Sequence, residues 1–126
     1  MLRIAAALVV LALTTHVAYA QVPVQLPVHK IHFDLSGFDD DGLYGPPEGL
    51  RAAAYEFCIP ARDDLAAEVS SIDPSIAIFP SSPGRIGCTR EERLCVGSTY
   101  QPEFRTVLAN LAGLDYVARI ELSLGE

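Results

Sequence analysis

After residue 20 this chain has no long apolar run. Nothing there approaches the roughly 20 residues that a transmembrane helix needs, which argues against a membrane span. The chain is also short of positive charge, with 9 Lys and Arg against 16 Asp and Glu and a formal net charge of -7. Such a surface repels phosphate backbones and anionic headgroups, so neither nucleic acid nor an acidic membrane is expected as a partner. Cysteine is scarce: Cys58, Cys88 and Cys95 are the only three, and no Cys-x-x-Cys occurs. The spacing of Cys88 and Cys95 is unlike the usual redox or zinc pairs, which leaves no metal site. Gly84-Arg85-Ile86-Gly87 is not followed by Lys-Ser or Lys-Thr, and Gly45-Pro46-Pro47 is no phosphate cradle either. Ser98 and Thr99 have no convincing His and Asp partners. With no cofactor fingerprint either, no cofactor is expected. Internal repeats and coiled-coil heptads are absent too.

What is present begins with a leader. Met1-Leu2-Arg3 carries one basic charge, Ile4 to Leu13 is aliphatic, and Ala18-Tyr19-Ala20 fits a small-x-small cleavage site. Residues 1–20 therefore read as a secretory signal peptide cleaved after Ala20, and the protein is expected to be exported, to a periplasm or to the extracellular space. No cysteine follows the apolar run, which disfavours a lipid anchor. The leader takes Arg3 with it and contains no acidic residue, so the formal charge moves from -7 to -8. About 106 residues remain, the size of one compact domain.

Residues 21–49 read as an extended arm, a strand and a loop rich in Gly, Asp and Pro. Gln21 to Pro27 suits an extended, polyproline-like path. Val28 to Leu35 alternates, with Ile31, Phe33 and Leu35 on one side and Lys30, His32 and Asp34 on the other, which predicts a half-buried strand. On such a strand His29 and His32 point to opposite faces and cannot readily share a metal. In the loop from Ser36 to Gly49, Asp39-Asp40-Asp41-Gly42 lacks the ligand spacing and terminal Glu of a calcium loop, and reads as a solvated acidic turn.

Residues 50–126 read as the core. Tyr55, Phe57 and Ile59 alternate with Ala54, Glu56 and Cys58 up to Pro60, a first core strand. Arg62 to Ile72 carries Leu65, Val69 and Ile72 at helical spacing, with Asp63 and Asp64 in its first turn. Ser75 to Phe79 and Leu94 to Thr99 predict two more strands. A second helix starts near Pro102 and Glu103, with Phe104, Val107, Leu108 and Leu111 as its apolar stripe and Gly113 as its stop. Leu114 to Leu124 alternates and predicts the last strand. This order is that of an α+β, ferredoxin-like βαββαβ sandwich with an additional N-terminal strand.

In that arrangement Cys58, Cys88 and Cys95 converge at one end of the sheet. Alternation directs Tyr55, Phe57, Leu94 and Val96 at the helices, and Glu56, Cys58 and Cys95 away from them. Three cysteines leave one thiol over. Cys88, in a loop, adjusts most freely, so Cys58–Cys88 ranks first, Cys88–Cys95 second and Cys58–Cys95 third. No catalytic or cofactor-binding residue can be named from the sequence. The leading reading is an exported, non-enzymatic binding module whose loops Ser36 to Gly49 and Pro80 to Arg93 face another exported protein. Alternatives are a redox protein or small enzyme using the unpaired cysteine, with Glu56 or Arg93 assisting, and a structural component of the cell envelope.

Overall fold

The structure is a computed structural model that describes residues 9–16 and 27–123. The cleavage position after Ala20 and the arm from Gln21 to Leu26 lie outside the described residues, while Val9 to His16 are exposed without regular secondary structure.

Among the described residues the molecule is mixed α and β, with two helices and two sheets of six strands in all. Strands β1 (Leu43–Tyr44) and β2 (Arg51–Ala52) form a small antiparallel hairpin. The main sheet comprises β3 (Ala54–Pro60), β4 (Ala77–Phe79), β5 (Glu92–Ser98) and β6 (Glu121–Ser123). Their order across the sheet is β4-β5-β3-β6, and every neighbouring pair is antiparallel. Helix α1 (Asp63–Ile72) follows β3 and helix α2 (Phe104–Ala112) follows β5.

One face of the sheet carries the main core. Tyr55, Phe57 and Ile59 of β3 pack with Val69 of α1 and with Phe104, Leu108 and Leu111 of α2. Helix α1 starts with Asp63 and Asp64, whose charge suits the positive end of the helix dipole. Helix α2 starts two residues later than its proline suggests: Glu103 stands at its N-cap with a left-handed φ of 58°, and Pro102 lies outside. Gly97 of β5 lies opposite Tyr55, whose phenol covers it. A Cβ there would sit 2.4 Å from the phenol oxygen and 2.8 Å from a carboxylate oxygen of the buried Asp73.

The opposite face is also covered. Ile86 and Cys88, from the connection between β4 and β5, pack on Leu94, Val96 and Cys58 as a second, smaller core. This corrects the alternation expected for β5. The register sets Cys95 opposite Phe57 and Leu94 opposite Cys58, so Cys95 belongs to the helix face and Leu94 and Val96 to the other. The run Leu94-Cys95-Val96-Gly97 contains no charged residue to mark an outer side. With both faces buried, alternation alone cannot fix its phase.

Two further expectations change at the ends of the chain. Val28 to Leu35 is not a strand: Val28–Lys30 and Leu35–Gly37 are 3-10 turns, and only Ile31 bridges the sheet, in parallel with Ile120. Ile31 is nonetheless buried, and Phe33, Leu35 and Phe38 pack on the main core, so the apolar side of the pattern is used without its strand geometry. Likewise Leu114 to Arg119 is not strand: turns run as far as Tyr116 and irregular chain follows, with Leu114 N–H donating to Leu111 and Val117 N–H to Leu114. Leu114, Val117 and Ile120, spaced by three, face the core there, and among the described residues only Glu121–Ser123 forms strand.

Candidate functional site

Two of the three cysteines meet. Cys58 and Cys88 are joined by a disulfide, with Cα atoms 5.5 Å apart. Such a bond is consistent with an oxidising, exported compartment. Cys95 remains a free thiol on the other face, at 0 % exposure. Burial pushes its pKa up to about 12, against the weaker opposing pull of the Arg93 charge. The attacking species in thiol chemistry is the thiolate, and Cys95 is neither ionised at neutral pH nor within reach of solvent.

The segment between β4 and β5 is held down at several points. Glu56, only 3 % exposed, accepts the Ile86 N–H at 2.7 Å, and Arg119 donates to the Ile86 carbonyl at 2.7 Å. Arg119 also bonds Glu121 at 2.9 Å. Gly84, with a φ of +60°, lies so close to the sheet that a Cβ would meet Leu94 at 2.7 Å. A buried carboxylate costs several kcal/mol unless it is hydrogen-bonded, so Glu56 ties the segment in place rather than waiting for a substrate. Arg93 faces α1, where it pairs with Asp63 at 2.9 Å.

The other long connection lies at the opposite end of β3. Its acidic turn is closed on itself: the Asp39 carboxylate accepts the N–H groups of Asp41 and Leu43, at 3.0 and 2.9 Å. Asp40 faces Arg105 at 3.3 Å. Gly42 then meets the backbone of Thr99 so closely that a Cβ would lie 1.7 Å from the Thr99 carbonyl oxygen, and its φ of +80° also favours glycine. The buried Thr99 hydroxyl donates to the Gly42 carbonyl at 2.7 Å and accepts the Ala53 N–H at 2.9 Å. Phe38 is fixed by its neighbours, with ring centroids 6.1 Å from Phe33, 5.4 Å from Tyr44 and 5.7 Å from Phe104. Its carbonyl accepts from Arg105 at 2.7 Å.

Between this lobe and the start of β3 lies a cleft of about 680 Å³. Phe38, Tyr44, Ala52 and Leu122 form its apolar walls, and among the described residues Asp34 is the one charged residue lining it. Tyr44 is 39 % exposed. The Ser36 hydroxyl and N–H, at 2.7 and 2.9 Å, hold the Asp34 carboxyl below the usual carboxylate range, so it is a fixed anion. A preformed, mostly apolar recess with one oriented charge is the common architecture of a binding site. A second recess of about 410 Å³ lies beside Ser81, Ser82, Thr89 and Arg90, near the disulfide.

Sequence reasoning singled out the loop from Ser36 to Gly49 but missed the cleft, whose walls come from five separate segments. The only local signal was aromatic: Phe38 and Tyr44 stand in sequence among Gly and Asp, where a solvated loop has no need of them. His29 and His32 are both exposed, and His32 lies 3.5 Å from Glu121. No helix among the described residues is long and apolar enough to cross a membrane. Compared with known proteins, the chain matches no family model, no curated protein and no solved structure.

Proposed function

We propose that this chain is an exported, non-enzymatic binding module built on a ferredoxin-like sandwich, and that the cleft between Phe38, Tyr44, Ala52 and Leu122 is its binding surface. The ferredoxin-like assignment is supported by the strand order β4-β5-β3-β6, in which each helix joins two strands that have one other strand between them. Export is supported by the leader pattern of residues 1–20 and by the disulfide. The observation that carries the binding reading is the apolar cleft with its fixed Asp34 anion. Its walls are preorganised by the Phe38 cluster and the Thr99 hydrogen bonds, so little ordering entropy opposes a ligand. Thiol catalysis is disfavoured because Cys58 and Cys88 are consumed in a bond and Cys95 is buried.

The test is selection of a displayed random-peptide library on the mature chain. Enriched peptides are expected to lose binding to Ala52→Arg, which fills the mouth of the cleft from an exposed position, and to Tyr44→Ala. They should still bind Ser71→Arg, on the exposed side of α1. No enrichment, or peptides that bind Ala52→Arg as well as the parent, overturns the reading.

A further inference from the structure

Resting on that reading of the cleft, we infer that its occupant is an extended peptide segment bearing a basic side chain, which adds to β6 as a further strand at Leu122 with its charge toward Asp34.

Strand β6 ends the main sheet, and its outer edge is already used in part. The Ile120 N–H donates to Lys30 at 2.7 Å, and the Ile120 carbonyl accepts from His32 at 2.8 Å. Backbone groups alternate sides along a strand, so Glu121 turns inward to Glu56 and the next outward pair belongs to Leu122. The chain does not follow the edge that far: beyond His32 it leaves for the 3-10 turn Leu35–Gly37. Among the described residues, the outward N–H and carbonyl of Leu122 find no backbone partner. They border the cleft at the place where the departing segment opens it, since Asp34, Gly37, Leu122 and Ser123 all line it.

An unpaired edge is a template for another strand, and strand addition draws its affinity from the main chain and its specificity from pockets for alternate side chains. Phe38, Tyr44 and Ala52 offer such a pocket to apolar side chains. Charge then chooses among extended segments. The protein carries a net charge of -7, and among the described residues the one ion lining the cleft is the Asp34 carboxylate, so a basic segment is attracted and an acidic one repelled. The same charge disfavours a second copy of this chain as the occupant.

The probes are two terminally blocked pentapeptides, Val-Arg-Val-Thr-Val and Val-Glu-Val-Thr-Val, titrated into the nitrogen-labelled mature chain and followed by amide resonances. The Arg peptide is expected to bind roughly two- to fivefold more tightly than the Glu peptide, as an exposed ion pair allows. It should move the Leu122 amide and slow its hydrogen exchange. Asp34→Asn should bring the ratio of the two affinities close to one while leaving both peptides bound. An Arg peptide N-methylated on alternate residues should not bind.

Equal binding of the Arg and Glu peptides to the parent overturns the charge assignment, and binding of the N-methylated peptide overturns strand addition. A Leu122 amide already protected in the free chain overturns the inference by showing that the protein's own chain covers the edge, and a concentration-dependent dimer in sedimentation that protects Leu122 does so in favour of a second copy. If library peptides bind at the cleft by the Ala52→Arg criterion and these pentapeptides do not, this inference fails and the binding module stands.

Discussion

Gly97 shows how a single missing side chain organises the interior. It lies opposite Tyr55 in the ladder, and the phenol occupies the space a Cβ would need. Tyr55 and Asp73 both reach that point fully buried, and neither the phenol oxygen nor the outer Asp73 oxygen has a hydrogen-bond partner among the described residues. Forcing a methyl group into such a site costs about 1–3 kcal/mol, since neither a ring held between β3 and the helices nor a buried carboxylate can withdraw freely. Gly97→Ala should therefore lower the free energy of unfolding by that amount, seen as a lower denaturant midpoint with an unchanged slope. An unchanged midpoint would mean that Tyr55 moves aside without strain. Asp34 is the opposite case, an exposed residue whose state is set locally by Ser36 two positions away, although the alternation of Val28 to Leu35 placed it on the polar side of a strand and not beside a turn.

Among the elements, the segment between β4 and β5 departs furthest from what its composition suggests. Its Pro, Ser, Gly and Arg residues predict a surface loop facing a partner, yet Ile86 and Cys88 are buried and it seals a face of the sheet. Three attachments hold it: the Cys58–Cys88 bond, the Glu56 carboxylate on the Ile86 N–H, and Arg119 on the Ile86 carbonyl. The disulfide closes a loop of sequence separation 30 and should contribute about 2–4 kcal/mol, more than either hydrogen bond alone. Replacing both cysteines, as Cys58→Ser with Cys88→Ser, should lower global stability by that amount. Glu56→Ala should cost about 1–3 kcal/mol by orphaning a buried N–H, and it should speed hydrogen exchange at Ile86 well before exchange rises in β3. Uniform acceleration across the sheet would show instead that the segment and the sheet open as one unit.

For the whole molecule, the consequence is one covalent state and one pH trend. After expression in a host able to cleave and export it, the chain is expected to have an intact mass that corresponds to a start at Gln21 with a single disulfide. Alkylation should add no label to the native chain, one label in denaturant and three after reduction. Labelling of Cys95 in the native chain would contradict its burial. Its thiol titrates in the folded chain at about 12, above the ordinary value near 9. The unfolded chain thus releases this proton first. The stability tied to it is complete below about pH 9 and falls as pH rises from there toward 12. Chemical denaturation in that range should show the fall in the parent and a smaller one in Cys95→Ala, compared with each protein's own value at neutral pH.

Both helices, the four strands of the main sheet and the apolar side of the Val28 to Leu35 pattern were legible in the sequence, because each depends on which residues recur along a few turns or pleats. The same local logic failed where neighbours decide. Val28 to Leu35 alternates but is bent into 3-10 turns, since only Ile31 reaches a strand edge. Leu114 to Ile120 satisfies two periods at once, and core packing selects the spacing of three. The phase of β5, and with it the separation of Cys95 from the Cys58–Cys88 bond, was settled only by cross-strand register. The sequence by itself determined the leader pattern, the acidic balance, the order of the main elements and the odd thiol, all properties of composition or short-range periodicity. The tertiary structure alone decided which face each cysteine occupies and where the cleft opens, because burial and enclosure are made by segments far apart in the chain.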